Sequence, residues 1–133
     1  MINKISHLGI AVKDLKAAAE TYRKLLQSEP SEMEHVAEQR VNVVKFKVGE
    51  LEIELLEGTA PDSPISKFIE KRGEGIHHVA YESDDIKSEL KRLDEEGFGL
   101  INKEPRTGSD NLLIAFLDPK STGGVLTEVC QHQ

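Results

Sequence analysis

Two histidines and two glutamates combine the residue types and the spacing that a metal site needs. His7 and His78 each lie in an alternating apolar segment, and Glu54 and Glu128 lie in a later apolar segment of the same half of the chain. The separation is 47 residues in the first half and 50 residues in the second. Imidazole nitrogens and carboxylate oxygens together suit Co, Zn, Mn, Ni or Mg. We therefore predict that the four side chains converge on one divalent metal ion.

The two histidines occupy equivalent positions of an internal repeat. Asp14 follows His7 by seven residues, and Asp85 follows His78 by the same interval. In each copy a strand-like segment leads to the Asp, and apolar residues then recur with helical spacing. Asp14 and either Asp84 or Asp85 can cap these helices, because a carboxylate accepts hydrogen bonds from first-turn amides.

Further strand-like segments follow each helix, so both halves are predicted to be β-α-β-β-β. These segments are Ser31–Glu38, Val41–Val48 and Leu51–Glu57 in the first half, and Phe98–Lys103, Asn111–Leu117 and Val125–Cys130 in the second. Ser63 and Pro64 can start a short helix that joins the halves. We predict a single domain of residues 1–133, built of repeat halves of about 1–58 and 74–133. The predicted fold class is α+β, in which paired βαβββ modules form a curved mixed sheet around a metal-binding groove.

Side-chain alternation selects the residues that face this groove. Successive side chains of a strand point to opposite faces of the sheet. In the first half, His7 and Glu54 fall on the strand face opposite the apolar residues that suit packing on a helix. In the second half, His78 and Glu128 fall on the equivalent face. His77 is adjacent to His78, so we expect it to face away from the groove.

The remaining candidates are predicted to be structural. Cys130 is expected to be a small buried thiol. Arg40, Lys45 and Lys47 could bind phosphate, but we prefer to interpret them as parts of an exposed hairpin that turns at Gly49–Glu50.

Composition argues against several classes of protein. The 133 residues include 17 Lys+Arg and 24 Asp+Glu, for a net charge of -7, and no Trp. Nucleic-acid binding favours basic surfaces and aromatic platforms, so no nucleic-acid partner is expected. No apolar segment approaches the roughly 20 residues of a membrane span, and no signal peptide is recognisable. A single cysteine cannot form an internal disulfide, and a cytoplasmic location is expected.

Several segments together resemble the vicinal-oxygen-chelate superfamily, which includes glyoxalase I, extradiol dioxygenases and fosfomycin-resistance proteins. They are HLGIAVKDLKAAAETYRKLL, LEIELLE, GEGIHHVAYESDDI and DPKSTGGVLTEV. Within the superfamily the chain is most similar to the methylmalonyl-CoA epimerases. The segments DSPISKFIEKRGEGIHHVAYES and DPKSTGGVLTEV carry this closer resemblance.

The resemblance implies a homodimer with one divalent metal ion per chain, held by His7, Glu54, His78 and Glu128. It also implies epimerisation of (2R)- and (2S)-methylmalonyl-CoA by proton abstraction at C2 through a metal-stabilised enolate. We expect Glu128 to be the principal base, and Glu54 to act as the second acid or base on the opposite side.

The chain departs from the epimerase pattern at two positions. Some epimerases have Gln where this chain has Glu54, which makes the site more anionic and more like glyoxalase. Some also have an acidic residue on the strand matching residues 41–45, where this chain offers Asn42 and Lys45, with Glu38 just before the strand.

The resemblance also bears on substrate binding and on the alternative functions of the chain. The CoA phosphates require cations, for which the candidates are Lys103, Arg106 and Lys120. The alternative functions are a glyoxalase I-like lactoylglutathione lyase and a non-catalytic ligand-binding protein of the same fold. An extradiol dioxygenase is disfavoured, because that chemistry uses two histidines and one carboxylate on Fe(II).

Overall fold

The computed structural model describes Met1–Gln133. Three α-helices are present: α1 (Leu15–Leu26), α2 (Pro64–Arg72) and α3 (Ile86–Glu95). The strands are β1 (Ile2–Ala11), β2 (Glu34–Val36), β3 (Val41–Val48), β4 (Leu51–Gly58), β5 (Gly75–Ser83), β6 (Arg106–Thr107), β7 (Leu113–Leu117) and β8 (Thr127–Gln131). They are hydrogen-bonded in the order β2-β3-β4-β1-β5-β8-β7-β6 in one mixed sheet, which confirms the α+β fold class.

The chain divides into two compact units, and each is described separately. The N-unit comprises His7–His77, and the C-unit comprises Met1–Ser6 together with His78–Gln133. Strand β1 therefore contributes its first residues to the C-unit and the rest to the N-unit.

The N-unit has the predicted β-α-β-β-β order. Strand β1 is parallel to β4, whereas β3 is antiparallel to both β4 and β2. Helix α1 begins where Asp14 accepts a hydrogen bond from the amide of Ala17 at 3.1 Å, as predicted. Its apolar face packs through Leu15 into a core that includes Phe46 and Leu55. Burying this face holds α1 on the side of the sheet opposite His7 and Glu54, whose side chains alternate with the apolar residues that pack on the helix.

The C-unit repeats this arrangement. Strand β5 is parallel to β8, and β7 is antiparallel to both β8 and β6. The sequence offered Asp84 or Asp85 as the cap of α3, and the structure selects Asp85, which accepts from the amide of Ser88 at 3.2 Å. Helix α3 packs against Ala115 and Val129 of the sheet.

Helix α2 is the predicted connection between the repeats. The Ser63 hydroxyl accepts a hydrogen bond from the amide of Ile65 at 3.3 Å, and Pro64 is the first helical residue. Proline is favoured there because the first amides of a helix have no partner within the helix. Ile65 belongs to a buried cluster with Val43 and Leu56, which fixes the helix on the N-unit sheet.

The strand predicted at Phe98–Lys103 is wrong. Leu100 makes only one isolated bridge, to Leu117. The amides of Ile101 and Asn102 both donate to the Phe116 carbonyl, whereas the Phe116 amide donates to the side-chain oxygen of Asn102 at 2.9 Å. This irregular pairing does not continue as a regular strand ladder. The short strand β6, which follows this segment, forms the edge of the C-unit sheet instead.

The other boundaries agree more closely. Val41–Val48 is a strand as predicted, and the strand predicted at Leu51–Glu57 extends one residue further. The strand predicted at Ser31–Glu38 shortens to β2, because Ala37–Gln39 turns as a 3-10 helix. None of the helices is long and apolar enough to cross a bilayer.

Candidate metal centre

The first His–Glu pair lies in the N-unit, where β1 and β4 run in parallel. Their register places Glu54 beside Gly9, the second residue after His7. Glycine has no side chain, so Gly9 places no side chain between the two neighbouring polar groups. The Nδ1 atom of His7 is 3.6 Å from the Oε2 atom of Glu54. The two residues are 2% and 4% exposed, so this polar pair is buried.

Lys45 joins this pair from β3. The antiparallel register places Lys45 opposite Glu54, and its Nζ atom is 3.9 Å from Glu54 Oε2. The Lys45 side chain is 11% exposed. The exposed-hairpin prediction is therefore wrong for Lys45, although it holds for Lys47, which is exposed.

A signal for Lys45 was present in the sequence. The predicted turn at Gly49–Glu50 pairs Val48 with Leu51, as the structure has it. Counting back from a two-residue turn brings Lys45 opposite Glu54, and directly opposite side chains of antiparallel strands share one face.

The second His–Glu pair lies in the C-unit and repeats the geometry of the first. The register places Glu128 beside Ala80, the second residue after His78. The Nε2 atom of His78 is 3.4 Å from the Oε1 atom of Glu128, and both residues are buried. The ring of Phe116 packs edge-on against the His78 imidazole, with centroids 5.7 Å apart.

Cys130 lies two residues beyond Glu128 on the same face of β8. It forms no disulfide and has no exposed surface, as predicted. Its sulfur and a Glu128 carboxylate oxygen lie within 4.8 Å of each other. The thiol is therefore part of the surroundings of the C-unit pair.

His77 is separate from both pairs. Its ring packs edge-on against Phe68 of α2, with centroids 5.0 Å apart. Burial disfavours the charged imidazole and lowers the pKa of His77 to about 4. His77 is thus a neutral packing residue at neutral pH, which agrees with its exclusion from the predicted site.

Both His–Glu pairs fit the chemistry of a divalent ion. The nitrogen–oxygen distances of 3.6 and 3.4 Å are longer than an ordinary hydrogen bond. Two ligand atoms that each lie about 2.1 Å from one tetrahedral or octahedral ion are separated by roughly 3.0–3.5 Å. An ionised carboxylate is costly to bury unless a cation compensates it. The donor set and its spacing therefore suit a hard or borderline metal ion.

Comparison with known proteins identifies the family. A model described as the glyoxalase/bleomycin resistance protein/dioxygenase superfamily matches residues 6–116. The chain belongs to this superfamily. The match includes His7, Glu54 and His78, and the glyoxalase-like fold predicted from the sequence is confirmed.

Several proteins that are similar to this chain over nearly its whole length are acyl-CoA epimerases. The chain is 38% identical over 133 residues to an ethylmalonyl-CoA/methylmalonyl-CoA epimerase of Cereibacter sphaeroides, covering 98% of this chain and 99% of that protein. A variant of Streptomyces coelicolor methylmalonyl-CoA epimerase, solved in complex with 2-nitronate-propionyl-CoA, is 36% identical with a TM-score of 0.94, covering 98% of this chain and 95% of that one. A methylmalonyl-CoA epimerase in complex with methylmalonyl-CoA and NH4+ is 35% identical with a TM-score of 0.92, with the same two coverages. These likenesses confirm the resemblance to epimerases that the sequence motifs indicated.

Proposed function

We propose that this protein is a methylmalonyl-CoA epimerase, which interconverts the (2R) and (2S) forms by moving the proton at C2. The supporting observation is a buried His–Glu pair in the same register of both units, in a chain similar to epimerases over nearly its whole length. Stereochemical inversion at C2 needs proton-accepting groups and a means of stabilising negative charge, and this donor set can supply both.

His7, Glu54, His78 and Glu128 would together hold one divalent ion, which is Co, Zn, Mn, Ni or Mg in this proposal. The support is the chemistry of each pair and its repetition at equivalent positions. When bound, such an ion supplies positive charge that stabilises the negative charge developing on the thioester oxygen. 

Glu128 is the proposed base for the C2 proton. On the neighbouring antiparallel strand, the residue paired with Glu128 is the aromatic Phe116, whereas the residue paired with Glu54 is the cationic Lys45. A carboxylate beside an ammonium group is a weaker proton acceptor. This difference favours Glu128 for removing the proton. Glu54 is the proposed second group, which would take up a proton from solvent and deliver it to the opposite face of C2. Positioned acid–base groups contribute roughly 100- to 10,000-fold to rate.

Exchange of the C2 proton of methylmalonyl-CoA in D2O tests this proposal. We expect the wild type to incorporate deuterium when Co(II) is added and to lose this activity with EDTA. Glu128→Gln should lower exchange at least 100-fold, because an amide cannot accept the proton. The matched control is Glu50→Gln, which changes an exposed turn residue and should leave exchange unchanged.

Two results would contradict the proposal. One is the absence of metal-dependent exchange in the wild type. The other is turnover of a glutathione hemithioacetal in place of methylmalonyl-CoA, which would support the lactoylglutathione lyase instead.

Assembly and location complete the proposal. We propose a homodimer, supported by exposed large apolar residues such as Leu25 and Met33. Sedimentation should then give twice the chain mass of 14.8 kDa, and a monomer would contradict it. A cytoplasmic location is proposed because a chain with a single cysteine cannot form an internal disulfide, which suits a reducing compartment.

A further inference from the structure

Helix α2 carries a positively charged cavity that neither His–Glu pair uses. The cavity has a volume of about 210 Å³ and is lined by Lys67, Phe68, Glu70, Lys71 and Arg72. Three of these side chains are positive and one is negative, in a chain whose net charge is -7. Because the overall field of the protein repels anions, such a local excess of positive charge is where an anionic group would bind.

The cavity belongs to the same side of the N-unit sheet as the first His–Glu pair. Phe68 of α2 packs against a cluster that includes Ala11 and Leu56. Leu56 follows Glu54 by two residues on β4, so both side chains point to one face. Two residues of strand span about 7 Å. Helix α2 is therefore a close neighbour of Glu54 on that face, and its outer surface stands roughly one helix diameter, about 10 Å, above the sheet.

We propose that this cavity binds the phosphate groups of the acyl-CoA substrate through Lys67, Lys71 and Arg72. The inference rests on the proposed function. The reacting thioester and the phosphates lie at opposite ends of the long pantetheine arm, so the phosphates need a cationic surface near the site but outside it. Arginine can bind a phosphate through two parallel hydrogen bonds, and lysine binds it as a point charge. Phe68 adds an aromatic wall to the cavity.

Binding here must come from side chains. The cavity lies towards the C-terminal end of α2, where unpaired carbonyl groups carry partial negative charge and disfavour anions. Glu70 adds a further negative charge. Removing the cations should therefore remove the phosphate affinity, with no backbone contribution left to mask the loss.

The sequence analysis selected different cations, which provide a comparison. Lys103, Arg106 and Lys120 are exposed residues of the C-unit. They lie in a loop, in β6 and in the 3-10 helix Pro119–Thr122, respectively, whereas the α2 cations lie within two turns of one helix. The clustering in α2 favours the cavity as the phosphate site.

The test compares two substrates, methylmalonyl-CoA and methylmalonyl-pantetheine, which lacks the phosphates. In the double variant Lys71→Gln/Arg72→Gln, we expect KM for methylmalonyl-CoA to rise at least tenfold with kcat unchanged. A raised KM with an unchanged kcat is expected when a mutation weakens substrate binding equally in the ground state and in the transition state. The KM for methylmalonyl-pantetheine should stay at its wild-type value. Glutamine keeps the helix propensity of the residues it replaces, and melting temperatures confirm that each variant is folded.

The matched control is Lys87→Gln/Lys91→Gln, which removes the same charge from exposed positions of α3 in the C-unit and should leave both KM values unchanged. The proposal is overturned if this control raises KM for the CoA substrate, if the α2 variant does not, or if the α2 variant raises KM equally for both substrates. Should the wild type turn over neither substrate, the proposed function fails. Calorimetric titration with CoA itself then still tests the cavity: loss of binding in the α2 variant supports it, and unchanged binding overturns it.

Discussion

The two buried glutamates occupy equivalent positions but have different neighbours. Lys45 lies opposite Glu54 in the N-unit, and Phe116 lies opposite Glu128 in the C-unit. The repeat therefore supplies the same carboxylate twice but adds an ammonium group to only one of these two positions. Glu54 receives a built-in positive neighbour through its Oε2 atom, which also faces His7 Nδ1.

Breaking this contact should destabilise the metal-free protein. We expect Lys45→Met to cost up to about 3 kcal/mol of unfolding free energy, because it leaves the Glu54 carboxylate buried without its ammonium neighbour. The double variant Lys45→Met/Glu54→Gln should recover much of this loss, since the buried charge is then absent. Chemical denaturation of the wild type, the single variant and the double variant measures their free energies of unfolding. 

Lys47→Met is the control for that experiment, because Lys47 is exposed on the same strand and its change should stay within about 0.5 kcal/mol. Equal effects of the two single variants would mean that the Lys45–Glu54 contact contributes nothing. A double variant less stable than Lys45→Met would contradict the charge explanation.

At the scale of elements, a side-chain contact ties the turn before β3 to the loop before α2. The guanidinium of Arg40 contacts the carboxylate of Asp62, and the amide of Thr59 donates to the Arg40 carbonyl at 2.8 Å. The hydrogen bond from Arg40 holds the pKa of Asp62 below its ordinary value. The start of α2, and with it the charged cavity, is therefore anchored to the N-unit sheet.

This anchor predicts a specific pH dependence. A carboxyl group with a depressed pKa in the folded state contributes its full stability above its unfolded value of 3.8 and loses it as pH falls through the folded value. Arg40→Gln should therefore lower Tm relative to the wild type at pH 6, and the difference should shrink below pH 3.8. NMR titration should show the pKa of Asp62 rising in the variant. A Tm difference that does not change with pH would contradict the role of this contact.

The elements that the sequence predicted well are those with local signals. Ser63 and Pro64 mark the start of α2, and an Asp marks the start of α1 and of α3. The segment Phe98–Lys103 was wrongly predicted to be a regular strand. The side-chain oxygen of Asn102 accepts the hydrogen bond of the Phe116 amide, which lies in β7. Alternation alone cannot reveal such a non-local hydrogen bond.

The site was predictable to a similar extent. The repeat and the alternation of side chains placed His7 near Glu54 and His78 near Glu128, as the structure has them, whereas their convergence on one ion stays a prediction. Lys45 was missed because its charge suggested exposure, although the turn register implied its position. The α2 cavity was missed because the sequence shows which residues are positively charged but not that three of them line one cavity.

At the scale of the whole molecule, duplication has kept the strand order of each unit and one buried His–Glu pair in each. A single pair provides two ligands, too few for the four- to six-coordinate ions proposed here. The proposal of one shared ion therefore makes the two units depend on each other for metal affinity.

Metal stoichiometry decides between one shared ion and two separate ions. We expect about one ion per chain by elemental analysis, and added Co(II) should raise Tm because it binds only the folded state. Glu54→Gln and Glu128→Gln should each weaken binding of that single ion at least tenfold, so that either variant alone removes most of the Tm increase. Glu50→Gln, on the exposed turn, should keep it. Two ions per chain, with each variant losing only one, would mean that every unit binds its own metal, and the four-ligand site would then be wrong.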